Sequence, residues 1–129
     1  MYLLDTDILI WIIRGNKKVI ASIDKLTSRF ATHISTVSIA EVYKNIFSSE
    51  IIETDECIYK HSFIPLDDQI AKQSGLYWRD FNQKFKTLSI TDCMIAATAK
   101  HENLTLITMN TRHFPMLDIK VLNPLKLIT

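Results

Sequence analysis

The 129-residue chain has room for a single domain, 1–129, and its 47% hydrophobic and 22% charged residues mark a globular protein rather than a disordered one. Its formal net charge of +1 excludes a general polyanion binder, so any nucleic-acid contact must come from a local patch. Two glycines, Gly15 and Gly75, leave no Gly-rich phosphate loop, which excludes dinucleotide and P-loop sites.

Taken in chain order, "YLLD" reads as a short buried strand. "TDILIWIIRG" is a predicted helix, with Thr6 or Asp7 as N-cap and Gly15 ending it. "NKKVIASIDKLTSR" is a second helix, and "THIST" a second short strand. "VSIAEVYKNIF" restarts helical spacing, with Ser38 as cap and Glu41 three residues on, in the form of a capping box. "TDECIYKH" continues helical, and "SFIPLD" is extended. A long helix is predicted from Asp67 to Phe85, burying Ile70, Ser74, Tyr77, Trp78 and Phe81. Thr91 caps the "DCMIAATA" helix, with Asp92 as its first residue. "LTLITMN" is a buried strand, "TRHF" a single turn and "IKVLNP" an edge strand. Helices alternating with short apolar strands predict an α/β fold, with a mostly parallel central sheet covered on both faces.

Cys57 and Cys93 make no CxxC or CxxxH pattern, and read as reduced thiols rather than a disulfide or zinc pair. No basic n-region and no run of about 20 apolar residues occurs, so the expectation is a soluble, cytoplasmic protein without membrane contact.

In open α/β sheets, ligands sit beyond the carboxyl ends of the strands. Asp5, Glu41, Asp92, Thr108 and Asn110 fall there, with Asp7 close to Asp5. Each alone has an ordinary structural role. Asp7 and Asp92 suit a helix N-terminus, Glu41 the far half of a capping box, and Asn110 a turn. Together they are harder to dismiss, because every acid is embedded in strongly apolar sequence. Like charges 4 Å apart repel by about 4 kcal/mol at an effective dielectric near 20. Clustered carboxylates therefore protonate or hold cations. Oxygen ligands without histidine or cysteine select Mg²⁺ or Mn²⁺ over zinc, and such a site suits phosphate chemistry.

The stretches "LLDTDILI", "ISTVSIAEV", "LSITDCMIAATAKHENLTLITMNTRHF" and "VLNP", with the "PLDDQIAKQSGLYWRDF" helix, occur in an order that resembles a PIN-domain ribonuclease. Within that family the chain is similar to VapC-type toxins of bacterial toxin–antitoxin pairs. The resemblance implies a three-layer α/β/α sandwich and a metal-dependent endoribonuclease. Asp5, Glu41 and Asp92 match the three main metal-binding acids. Asp7 matches a second position of the first motif and is expected to help through water or as an outer acid, while Thr108 and Asn110 are expected to orient the water or the scissile phosphate. A fourth acid is usual after the last long strand. Here "TMNTRHF" offers Asn110 and His113 instead, so one Mg²⁺ or Mn²⁺ is expected, with a second in doubt. Water attack would leave a 5′-phosphate and a 3′-hydroxyl.

The resemblance further implies a folded RNA substrate, tRNA or a ribosomal RNA loop, a homodimer, and a VapB-type antitoxin over the acidic groove. Arg112 is the first candidate for RNA contact because it closely follows Asn110, with Lys44 and Arg14 behind it. Trp11, Ile12, Phe30, Tyr43 and Phe47 line the antitoxin groove or belong to the core. Three rival readings are a haloacid-dehalogenase-like phosphohydrolase, a non-catalytic PIN-shaped binding module, and a PIN nuclease outside toxin pairs. The first gives Glu41 no task. The second gives no reason to keep three mutually repelling acids. The third fits a short chain less well.

Overall fold

In the computed structural model, which describes residues 1–127, strand β1 (Tyr2–Leu4) is followed by helices α1 (Thr6–Ile13) and α2 (Lys17–Thr27) and by β2 (Thr32–Ser35). Helices α3 (Thr36–Tyr43) and α4 (Ile51–Ile58) lead to β3 (Ser62–Ile64). Helices α5 (Asp68–Phe81) and α6 (Ile90–Glu102) then precede β4 (Thr105–Ile107) and β5 (Val121–Leu122). The strands form one sheet in the order β3-β2-β1-β4-β5. Every pairing is parallel, so the expected mostly parallel sheet is wholly so among the described residues.

Side-chain alternation sorts the core into two layers. Leu3 and Leu106 point to one face, where they pack with Ile70 and Tyr77 of α5 and Ile95, Ala96 and Ala99 of α6. Leu4 and Ile107 point to the other face, against Ile8, Leu9, Val19, Val42 and Ile58 of α1–α4. Fully burying such a Leu or Ile contributes roughly 1.5–3 kcal/mol. The result is the three-layer α/β/α arrangement that the family resemblance implied. The small alanines of α6 allow it to pack closely along α5.

Several helix ends differ from their sequence-based assignment. Asp5, not Thr6 or Asp7, caps α1, and its carboxylate accepts from the Thr6 N–H. Gly15 sits at φ +78, the left-handed turn that closes α1 before Asn16 caps α2. Ser35, the last residue of β2, caps α3, so Ser38 and Glu41 do not form a capping box there. Ser89 rather than Thr91 caps α6, which places Asp92 at the third helical position rather than the first. Helix α5 stops at Phe81, short of Phe85, and Trp78 is 44% exposed rather than part of the buried stripe. Both cysteines are free. No helix among the described residues is long and apolar enough to cross a membrane.

Candidate active site

From β1 the chain builds outward through β2 to β3, and only then crosses back to place β4 on the other side of β1. This reversal of strand order opens a crevice at the carboxyl ends of β1 and β4. Asp5 is the first residue past β1, and Thr108 the first past β4. Each therefore enters the crevice from a rigid strand end.

Asp5 is 6% exposed. Its Oδ1 accepts from the Thr6 N–H and its Oδ2 from the Thr108 hydroxyl, both at 2.8 Å. Burial pushes its carboxyl up to about 8, the charges of Asp7 and Asp92 add to the rise, and the two hydrogen bonds oppose it. Asp7, one residue into α1, accepts from the Met109 N–H and from Asn110 Nδ2, each at 3.0 Å. Its carboxyl is also raised, chiefly by burial. The Thr108 Oγ1 lies 3.3 Å from Asp7 Oδ2 and accepts from the Asn110 N–H at 3.0 Å. One hydroxyl thus stands between both carboxylates of the "DTD" motif.

The other two acids arrive on helices. Helix α3 meets both α1 and α6, which brings Glu41 toward Asp92. Glu41 Oε1 accepts from the Thr6 hydroxyl at 2.7 Å. Asp92 forms a reciprocal cap with Ser89: its N–H donates to Ser89 Oγ at 3.0 Å, and its Oδ2 faces the Ser89 N–H at 3.4 Å. Burial raises the Asp92 carboxyl, its Ser89 hydrogen bonds and the nearby His113 oppose that, and Glu41 reinforces it. Asp7, Asp5, Asp92 and Glu41 thus form a continuous run of mutually repelling groups. Among the described residues, no lysine or arginine makes an ion pair with any of them.

The donor set is all carboxylate and hydroxyl oxygen, the type that suits a hard divalent cation. As placed, no three His, Cys, Asp or Glu side chains among the described residues stand close enough to enclose an ion. The acids lie near one another without forming a closed shell. Asp5, Asp92 and Glu41 are the candidates to hold a metal, Asp5 because its buried carboxyl has no basic partner among the described residues.

The structure brings Asp5, Asp7, Glu41, Asp92, Thr108 and Asn110 together. Arg112 and His113 follow in a short 3-10 turn beside them, both exposed. Lys44 caps the far end of α3, just past Glu41. Arg14 caps the far end of α1, about 12 Å along the axis from Thr6 at 1.5 Å per residue, and lines a small hollow with Val42, Asn45 and Glu50. Of the groove candidates, Trp11, Phe30 and Phe47 are exposed, whereas Ile12 and Tyr43 pack partly on the Leu4 layer. Sequence reasoning missed Thr6 and Ser89 as partners of the acids. The one available signal for Thr6 was its place between two aspartates.

Residues 2–120 match the PIN domain family. The chain belongs to that family. This PIN protein is 33% identical over 121 residues to Ribonuclease VapC10 of Mycobacterium tuberculosis, covering 92% of this chain and 89% of the relative. It is 26% identical over 137 residues to Toxin FitB of Neisseria gonorrhoeae, covering 96% of this chain and 98% of that protein. Among solved structures, VapBC2 from Rickettsia felis, bound to a DNA fragment from its promoter, matches with a TM-score of 0.82 at 21% identity, over 95% of this chain and 97% of that one. FitAcB from Neisseria gonorrhoeae matches with a TM-score of 0.75 at 24% identity, over 96% and 98%. At these identities the structural matches carry the PIN fold.

Proposed function

We propose that this PIN-domain chain is a VapC-type endoribonuclease, the toxin of a toxin–antitoxin pair, which hydrolyses a structured RNA (tRNA or a ribosomal RNA loop) with Mg²⁺ or Mn²⁺ held by Asp5, Asp92 and Glu41. The observation that carries the reading is Asp5: a buried acid at the switch point of the sheet, with three further acids around it and, among the described residues, no basic partner. The relationship to Ribonuclease VapC10 supports the reaction class. A divalent cation at such a site lowers the pKa of an attacking water and offsets charge on the phosphate. The protein's own groups set the geometry. Thr108 and the Thr6 N–H fix Asp5, while Met109 N–H and Asn110 fix Asp7. Asn110 spends its amide nitrogen on Asp7, which leaves its carbonyl oxygen to accept from a water or a ribose hydroxyl. Arg112, exposed in the turn after β4, is the first candidate to meet an RNA phosphate, and Lys44 and Arg14, at the far ends of α3 and α1, are the others.

An antitoxin partner belongs to the same proposal. The solved structures of similar fold include a toxin–antitoxin complex from Klebsiella pneumoniae. On this chain, a cavity of about 530 Å³ lies between α1, α2 and α4. Ile12, Ile20 and Ile23 line that cavity together with Asp24, Glu53 and Glu56, three acids that outnumber Lys60 and His61 on the same wall. This surface fits a segment that alternates apolar and basic residues. The homodimer and the cytoplasmic location that the family resemblance implies are part of the same reading.

The test is cleavage of total tRNA and of ribosomal RNA by the purified chain, with EDTA, Mg²⁺ or Mn²⁺, beside Asp5→Asn. The expected result is metal-dependent cutting, lost in the variant, with 5′-phosphate ends. A 2′,3′-cyclic phosphate product, or cutting that survives both EDTA and Asp5→Asn, rejects the mechanism. RNA binding without cutting in any metal would return the non-catalytic module.

A further inference from the structure

We infer that Thr6 is a positioning residue for Glu41, setting the reach of the α3 carboxylate into the acidic crevice; this rests on the metal-dependent reading above. Thr6 lies between Asp5 and Asp7 in the chain, but its hydroxyl turns the other way. The Oγ1 sits 2.7 Å from Glu41 Oε1 and 3.0 Å from Ser38 Oγ. Among the described residues, no other group hydrogen-bonds the Glu41 carboxylate. A glutamate has three rotatable side-chain bonds, so a carboxylate held at one point by one donor depends on that donor for its direction.

Three features make the donor well defined. Thr6 is the first residue of α1, so no preceding helical carbonyl competes for its hydroxyl, as one does for threonines deeper in helices. Its β-branch restricts the hydroxyl to few rotamers. Ser38, fully buried one turn before Glu41 on the same side of α3, presents the second oxygen to the same hydroxyl. With one proton to give, Thr6 gives it to the nearer and more strongly accepting carboxylate. The link joins the helix that leaves β1 to the helix that leaves β2, spanning two of the three motifs that supply acids. Thr108 plays the matching part for Asp5 on the β4 side.

The experiment is Mn²⁺ binding to the purified chain without RNA, read by electron paramagnetic resonance, in wild type, Thr6→Val, Thr6→Ala and Thr6→Ser, with thermal melts alongside. Thr6→Val and Thr6→Ala should weaken Mn²⁺ binding about 10–100-fold, as loss of an outer hydrogen bond to a metal ligand does. Thr6→Ser, which keeps the hydroxyl, should restore it. In a Glu41→Gln background, Thr6→Val should cost nothing more, since the hydroxyl then has no carboxylate to direct. Unchanged binding in Thr6→Val overturns the inference while leaving the nuclease reading intact. An equal loss in the Glu41→Gln background also overturns it, because Thr6 would then act elsewhere. Unfolding of both Thr6→Val and Thr6→Ala overturns it too, making the hydroxyl a tie between α1 and α3. If wild type binds no Mn²⁺, the metal reading fails and takes this inference with it.

Discussion

Asp5 and Asp118 lie at opposite ends of the central sheet and in opposite electrostatic states. Asp118 precedes β5 at the amino end of the strands, where its Oδ1 accepts from the Tyr77 hydroxyl and its Oδ2 pairs with Lys100 Nζ, both at 2.9 Å. Partial burial pushes its carboxyl up, but the hydrogen bonds from Lys100 and Tyr77 and the lysine charge outweigh that and hold it below the usual range. Asp5 has two hydrogen bonds as well, yet it is raised to about 8, because burial is deeper and its charged neighbours are acids. What separates the two is the counter-charge. The chain supplies one to the acid that ties α5 and α6 to the loop before β5. Among the described residues it supplies none to the acid at the switch point, which is where the proposed cation would sit.

Asp5→Asn tests that contrast most severely. Loss of the charge should lower RNA cleavage by about 10²–10³-fold, the scale of removing one electrostatic group from a reacting centre. The same substitution should stabilise the metal-free fold by about 1–2 kcal/mol, the usual gain when a functional strain is relieved. The amide can still accept from the Thr6 N–H, and the Thr108 hydroxyl, 3.3 Å from Asp7, can turn to that carboxylate instead. The pH dependence follows from the raised carboxyl. Between about pH 4 and pH 8 the unfolded chain has Asp5 ionised while the folded chain keeps it protonated, so the fold binds more protons. Wild-type stability in EDTA should therefore fall as pH rises through that window and level off above it. Urea melts across the window should show the slope in wild type and a flatter curve in Asp5→Asn. A wild-type curve that rises with pH there, with Asp5→Asn no flatter, would break the comparison at its root.

Asp118→Asn should do the opposite on a smaller scale. Both partners of its ion pair are more than two-fifths exposed, so water screens the pair and its loss should cost only about 0.5–1 kcal/mol. The amide oxygen still accepts from Tyr77, and cleavage should not change. The lowered carboxyl adds stability above its unfolded pKa that is lost as pH falls through its folded pKa, in the acid range. Wild type should therefore lose this part of its stability in acid, and Asp118→Asn should not. A fall in cleavage with Asp118→Asn would join the two ends of the molecule and remove the distinction between them.

How much of this was legible in the sequence depends on how far apart the interacting residues lie. The strands, the helices and the acids at strand ends were local patterns, so Asp5 and Asp92 could be picked out among their apolar neighbours. Glu41 was found as well, but with the wrong local reading. Ser38 and Glu41 satisfy the S-x-x-E spacing of a capping box, and only the pairing of β2 with β3 shows why it does not form. That ladder runs to Ser35 opposite Ile64, which makes Ser35 the residue where strand becomes helix. With the helix starting earlier, Glu41 is freed from capping and meets Thr6, 35 positions away in sequence. The cap of α6 also lies earlier than its sequence-based assignment, at Ser89 rather than Thr91. Trp78 kept helical spacing with the buried stripe but lies at its exposed rim, a distinction that periodicity alone does not draw.

Two buried threonines extend the contrast to single hydroxyls, where the expected effect is smallest. Thr108 and Thr54 are both fully buried. The Thr108 hydroxyl is used twice, donating to Asp5 and accepting from the Asn110 N–H. The Thr54 hydroxyl, inside α4, has no hydrogen-bond partner among the described residues. Burying an unpaired hydroxyl forfeits its hydration for nothing, a cost of about 1–3 kcal/mol. Valine has the same shape and nearly the same helix propensity as threonine. Thr54→Val should therefore stabilise the fold by about 1 kcal/mol and leave cleavage unchanged. Thr108→Val, identical as a chemical change, should impair cleavage, because it removes the donor that fixes Asp5. Urea melts and the RNA assay on the pair separate a hydroxyl kept for the site from one that serves neither site nor fold. Destabilisation by Thr54→Val would instead mean that a water satisfies that hydroxyl, and the α1–α4 layer would then be wetter beneath α4 than its apolar lining implies.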